Sequence, residues 1–287
     1  MSPATLLTAA PTTSLGGDTL PVLDLITGRA RTGAYGPDPA SLRIALAFST
    51  VQAVRHTGRS RGYRNEVLSL RLGSAVGSCA VEPGDLAADT VTDCVGATVG
   101  ELLDHPRTAV RVAALDAYLG HCRPHAPAYG ARRYGLPAGS SLVKSRVRAA
   151  AVVGLLPLAD VRRVLVVGVV NSILEQLRSN GVGYLPCDLK GGTTEWGEPV
   201  HTDTLAHLDD CDAILASGMT LGNGSLDPLL AHARATGKPL VLFAQTGSAV
   251  LPCLIGDGAT AVSAEPYPFF WLDGGPTVIH LYGGAGR

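Results

Sequence analysis

The chain has 287 residues, of which 46% are hydrophobic and 16% charged, and its formal net charge is -1. That length suits two domains better than one, and so apolar a composition excludes gross disorder. A charge so close to zero excludes the extended basic surface that neutralises nucleic-acid phosphates.

Met1 to Pro11 carries no Lys or Arg ahead of its apolar residues and does not read as a secretory signal. Residues 1–17, rich in Thr, Ser, Ala, Pro and Gly without a period, are expected to form a flexible arm. Leu20, Leu23 and Ile26 then share one face of a short helix ending near Gly28. Strand-like runs follow at Leu42 to Arg55, Glu66 to Leu72 and Ala75 to Val81. Breaks at Gly58, Gly62, Gly73 and Pro83-Gly84 make this an antiparallel meander. Helices are expected at Val99 to Leu103 and at Thr108 to Leu119, where Val112, Leu115 and Leu119 fall at helical spacing. Residues 18–120 are thus a small α+β domain, and the Pro- and Gly-rich region at 121–160 is a linker or crossing segment.

From residue 161 to 287 the texture is βαβ. Val164 to Val167 is a continuous apolar run, as in a parallel strand covered on both faces, and Ile173 to Arg178 can form the helix after it. Further strands are expected at Gly183 to Pro186, Ala213 to Ala216, Leu240 to Phe243 and Ala261 to Ser263, with helices near Thr204 to Leu208 and at Leu226 to Ala235. The fold class is α/β: a Rossmann-like, doubly wound parallel sheet preceded by a smaller α+β domain. The apolar stretch from Ala149 to Val170 is interrupted by Pro157, Asp160, Arg162 and Arg163, short of the roughly 20 residues a membrane helix needs. Six cysteines without a C-x-x-C pair fit reduced thiols in a cytoplasmic protein.

Polar, glycine-rich loops fall at the carboxyl ends of the strands, where open α/β sheets hold ligands. The first, Gly168 to Ser172 with Asn171, lacks G-x-G-x-x-G, which argues against ordinary NAD binding. Asp188, twenty positions after Gly168, is placed to accept hydrogen bonds from a ribose; the alternative is an Asp capping a turn. Ser217, Thr220, Asn223, Gly224 and Ser225 precede a helix whose free amides favour an anion, although a plain helix cap uses the same residues. Gln245, Thr246 and Ser248 form a second polar loop facing it. Lys190 is a cationic group beside Gly191 and Gly192, and Glu195, Trp196 and Glu198 could line a lid. Two clusters offer metal donors, His121 with Cys122 and His125, and His201 with Asp203, His207 and Cys211; neither has a standard zinc spacing, and Pro124 bends the first. The linker should also lie beside the strand ends, so that His125, Arg132 and Arg133 complete a pocket between the domains.

Three segments, VLVVGVVNSILEQL, DDCDAILASGMTLGNGSLDPLL and PLVLFAQTGSAVLPCLIGDGATAVSAE, resemble in this order the Rossmann-like domain of a prokaryotic family labelled putative heavy-metal chelation. Upstream, CVGATVGELLDHPRTAVRVAALDAYLG resembles the end of the enolase-N-terminal-like domain that precedes it in that family. The resemblance covers about residues 41–282 and implies an α+β cap on a Rossmann-like domain, with a link to metal handling or corrinoid metabolism. Asp116 stands where an Asn is usual in the family, and Val169-Val170-Asn171 replaces a more aromatic, proline-containing turn. Two readings compete: a protein that binds an anionic ligand or metal chelate, and an enzyme acting on an adenosyl (S-adenosylmethionine-like) or amino-acid substrate. The expected cofactor is accordingly a divalent transition metal or an adenosyl ligand. The expected partners are a small molecule and further copies of the chain in a homo-oligomer such as a homodimer, with neither nucleic acid nor membrane.

Overall fold

The computed structural model describes residues 20–55 and 62–284; the arm assigned to residues 1–17 and the break at Gly58 lie outside the described residues. Helix α1 (Val22–Arg31) buries Leu23 and Ile26, as their spacing requires, while Leu20 lies ahead of it and is exposed. Strands β1 (Leu46–Val54), β2 (Tyr63–Leu72) and β3 (Ala75–Val81) form the expected antiparallel meander. After the short helix α2 (Ala88–Asp93), α3 (Val99–Leu103) opens on a capping box in which Thr98 and Glu101 satisfy each other's backbone amides. Helix α4 (Thr108–Cys122) is buried at every position from Val112 to Leu119, because β2 and β3 cover one side and the larger sheet's loops the other.

The rest of the chain builds one seven-stranded sheet. Its elements are β4 (Arg132–Leu136), α5 (Ser141–Val153), β5 (Arg163–Val167), α6 (Asn171–Ser179), β6 (Gly183–Cys187), β7 (Ala213–Ser217), the single turn α7 (Met219–Gly222), α8 (Leu226–Thr236), β8 (Leu240–Ala244), β9 (Ala261–Ala264) and β10 (Thr277–Gly283). The strand order is β4-β10-β9-β8-β7-β5-β6, with β6 through β9 parallel and β10 and β4 antiparallel at one edge. The continuous apolar runs divide their side chains between two cores. Val164 and Val166 pack with α5 and α6, whereas Leu165 and Val167 face the core shared with α4 and α8.

Two expectations need correction, and one strand had no counterpart in them. The segment assigned to a linker, 121–160, holds β4 and the whole of α5, which opens on Ser140 accepting from the Val143 amide and buries Lys144, Ser145, Arg148, Ala149 and Val152 against the sheet. Near Thr204 there is only a 3₁₀ turn, Leu205–His207. Strand β10, with its β-branched Thr277, Val278 and Ile279, was not anticipated. Among the described residues no helix is long and apolar enough to cross a membrane.

The two sheets meet at a tight joint. The Gly247 amide donates to the Ser78 carbonyl at 3.0 Å, and the Ala80 amide to Thr246 Oγ1 at 2.9 Å, so β3 is fastened to the loop after β8. Asp116, buried on α4, accepts from the amides of Ser78 at 2.8 Å and Ala249 at 2.6 Å, one from each side of the joint. Gly77 lets β3 lie on α4, since a Cβ there would sit 2.0 Å from the Ala117 nitrogen.

Burial pushes the Asp116 carboxyl up to about 7, against the opposing pull of the Ala249, Ser78 and Val250 amides. A carboxyl whose folded pKa is raised holds its proton more tightly in the folded chain. Its contribution is complete below the unfolded value of about 4 and is lost as pH rises through the folded one. Compared with Asp116→Asn, the wild-type chain should therefore lose stability, on the order of a few kcal/mol, as pH climbs from about 4 to about 7, and no more above that. Denaturant midpoints of both proteins across that range check this; a difference that does not change with pH contradicts it.

Candidate functional site

The open face of the meander stands over the carboxyl ends of β5 to β8, and between them lies a cavity of about 870 Å³. Its floor is the switch point of the sheet, where the chain leaves β5 for β6 on one side while β7 lies on the other. Gly168 ends β5 at φ +84°, and a Cβ there would meet the Ser217 Cβ at 2.6 Å, so the β5 and β7 ends approach this closely only with glycine. The roof comes from Gln52 on β1, Tyr63 to Asn65 on β2, and Ala80 to Glu82 at the end of β3.

Ten of the eleven sequence-predicted ligand residues line this cavity; Ser248 is buried behind its loop instead. Asp188 stands at the end of β6, where it accepts from the Val169 amide at 3.3 Å and the Lys190 amide at 3.0 Å, tying the two turns together. Asn171 begins α6; its amide donates to the Tyr63 hydroxyl at 3.2 Å and its side chain to Glu195 at 3.1 Å. The Ser217 to Ser225 loop is not open: α7 occupies its middle, Thr220 Oγ1 donates to the Ser217 carbonyl at 2.7 Å, and Asn223 Oδ1 accepts from the Ser225 hydroxyl at 2.7 Å. Gly224 takes φ +79° with open space where a Cβ would point, so its backbone conformation, not crowding, calls for glycine. Thr246 lines the cavity while its hydroxyl serves the joint. Gln245 differs from all of these: its Nε2 is buried with no hydrogen-bond partner.

Other candidates fall elsewhere. Lys190 does not reach inward, because its ammonium pairs with Glu82 at 2.9 Å across the mouth between the two sheets. Trp196 packs under the Arg178 guanidinium and Glu198 pairs with Arg178, so this segment lies against the outside of α6 rather than over the cavity. The tryptophan that lines the cavity is Trp271, whose Nε1 donates to Gln52 at 2.8 Å. Arg132 and Arg133 are exposed on edge strand β4, and no residue of 121–134 lines the cavity, so His125, Arg132 and Arg133 do not complete the site.

The metal clusters do not assemble. Helix α4 runs through His121 and Cys122, which face Gly73 and Gly36 respectively, and ends before Pro124. His125 turns away to meet the Tyr282 hydroxyl at 2.7 Å and to stack on His280, and burial followed by the His280 charge pushes it down to about 4. In the second cluster His201 packs on His207, which bonds Asp210, and Cys211 donates to the Leu208 carbonyl. Among the described residues no three His, Cys, Asp or Glu side chains are grouped to hold an ion. The thiols are also badly poised as ligands: burial pushes all six up, Cys79 to about 12 and Cys187 to about 11.

Sequence reasoning missed the site's buried cation. Arg148 on α5 lines the cavity; its Nε donates to Glu265 at 2.7 Å, with side chains only 5% and 1% exposed, and its guanidinium lies over Phe243 at 4.9 Å. The signal was there in Lys144 and Arg148, four apart in an apolar helical run behind a Ser cap, had that region not been read as linker.

The fold and cavity define an α/β protein, its main sheet covered on both faces and joined to an antiparallel meander, with a ligand-sized space at the switch point of that sheet. Residues 151–264, about two fifths of the chain, match the model of the DUF364 family, described as "Putative heavy-metal chelation". Among solved structures, a DUF364-family protein of unknown function from Pyrococcus horikoshii is 17% identical over 84% of this chain and 86% of its own, with a TM-score of 0.54. A second DUF364-family protein of unknown function, from Desulfitobacterium hafniense, is 15% identical over 85% of each chain, with a TM-score of 0.52. At that identity the likeness establishes the fold. No curated protein matches the chain.

Raised thiol pKa values and burial together give a chemical expectation. In the native protein at about pH 8, Ellman's reagent should label the cysteines slowly, and all six should react at once after denaturation. A thiol that reacts within seconds in the folded chain would restore a nucleophilic or metal-binding cysteine.

Proposed function

We propose that this chain is a small-molecule binding protein of the DUF364 type, whose ligand is an anionic organic molecule or a metal chelate held between the meander and the strand ends. In this reading α1 to α4 and the meander are the enolase-N-terminal-like part, and the cavity is the crevice between the two units. The observation that carries it is the cavity itself: about 870 Å³ at the switch point, lined by ten residues chosen from the sequence for their hydrogen-bonding chemistry. Because the described residues offer no grouped donors for a bare ion, any metal would arrive already held by an organic chelator, whose charged groups the protein binds.

One observation favours the adenosyl reading as the alternative. Asp188 lies in the cavity at the end of β6 with a carboxylate able to accept more hydrogen bonds than the two it has, as a ribose would need. On this reading Asp188→Ala should weaken S-adenosylmethionine about 10- to 100-fold, the equivalent of 1–3 kcal/mol for unpaired hydroxyls.

Native mass spectrometry of the protein as purified, with elemental analysis of the same sample, tests the main reading. A non-covalent adduct lost on denaturation is expected, with any metal present in proportion to it. A bare polypeptide mass, together with no thermal stabilisation by citrate, by metal-loaded citrate or by S-adenosylmethionine, overturns the reading.

A further inference from the structure

We infer that the β8 end of the cavity is a carboxylate subsite whose donors are Arg148 and Gln245; this deepens the reading of the cavity as a ligand site and rests on it. Arg148 and Gln245 reach one place from different elements. Gln245 directly follows β8, on the same side of the strand as Phe243, whose ring lies under the Arg148 guanidinium at 4.9 Å. Glu265 comes in from the end of β9, where its amide donates to the Ala244 carbonyl at 2.7 Å, and takes the Arg148 Nε. The two Nη groups of this cavity-lining arginine are then the donors left for a ligand.

Gln245 supplies the independent observation. Its Nε2 is shut away from solvent and has no acceptor, a state that folded proteins avoid unless something else fills it. Turned toward the cavity that Gln245 lines, this amide would donate to a ligand oxygen together with Arg148. Phe243 lies under the guanidinium there, and Phe269 and Trp271 add aromatic wall to the same cavity, which keeps the dielectric low and strengthens each such bond.

Charge selects the class of oxyanion. Arg148 is already paired with Glu265, whose Oε2 is buried without a partner, so the subsite offers strong donors but no net positive charge. A singly charged, planar carboxylate can share the guanidinium with Glu265 and leaves one excess negative charge; a dianionic phosphate would leave two. The lysine that lines the cavity, Lys190, lies beyond the end of β6, at the opposite edge of the parallel strands, and is paired with Glu82.

Three small aromatic probes of matched size test the subsite: benzoate, neutral benzamide and phenyl phosphate, titrated into the full-length protein while Trp271 fluorescence is followed in a Trp196→Phe background. Benzoate should bind at least about tenfold more tightly than either of the others. Gln245→Met should weaken benzoate about tenfold without lowering Tm, since it removes a donor that has no partner in the protein. The neutral pair Arg148→Met with Glu265→Gln, which avoids leaving one buried charge alone, should abolish benzoate binding in a chain that still unfolds cooperatively. Equal affinities for benzoate and benzamide, a preference for phenyl phosphate, or an unchanged affinity in Gln245→Met each overturn the proposal. So does the failure of all three probes to bind; a ligand retained in the native mass spectrum would then leave the cavity reading standing while the subsite falls.

Discussion

The structure depends on a joint made by main-chain amides and one buried carboxylate. Asp116 gathers the Ser78 amide from β3 and the Ala249 amide from the loop after β8, and the Gly247 and Ala80 amides cross the same seam in opposite directions. A buried, unpaired backbone amide is expensive, so each of these four bonds makes separation of the layers costly at the same place. The seam works only because Gly77 has no side chain and the β3 backbone can lie directly on α4. Asp116 is a demanding choice for this position, because its burial works against the charge that makes it a good acceptor.

The cavity is a consequence of where that joint falls. Fastening β3 to the loop after β8 brings the meander over the carboxyl ends of the parallel strands, and the rest of the roof follows from the pairing of β3 with β2 and β2 with β1. At the far side, Glu82 and Lys190 pair between the two sheets; with both side chains half exposed the pair adds little to stability.

Much of this was legible in the sequence, and the failures have physical reasons. The parallel strands announce themselves as apolar runs covered on both faces, and the glycine-rich loops after them fall at the switch point because topology leaves them nowhere else to go. Leu23 and Ile26, or Val112, Leu115 and Leu119, gave their helices away by spacing alone. The region after α4 misled because Pro and Gly there signal breaks between short elements as readily as a linker; Arg132 to Leu136 is a strand only because β10 arrives from residue 277 to pair with it. The role of Arg148 is likewise invisible locally, since its partner Glu265 lies 117 positions away. The metal clusters failed for the converse reason: His121, Cys122 and His125 are neighbours in sequence, yet the end of one helix points them in three directions.

The Arg148 and Glu265 pair is hard to account for as a stabilising feature. Withdrawing two charges from water until 5% and 1% of the side chains remain exposed costs several kcal/mol per ion, by order of magnitude, and the attraction between them rarely returns more than that. Apolar residues of similar volume would serve the core as well, and Phe243, Phe270 and Val152 already surround the site. Lys144, one turn earlier and equally buried, shows what a structural cation looks like here: its ammonium is taken up by the carbonyls of Asp273 and Gly275, away from the cavity wall. Arg148 instead keeps part of its donor capacity on the cavity side, and Glu265 holds it there by Nε alone. An arginine buried, oriented and left incompletely used is an arrangement for an anion from outside the chain, which is why the β8 end of the cavity, rather than the better-capped Asn223 loop, is where a ligand's charge would be read.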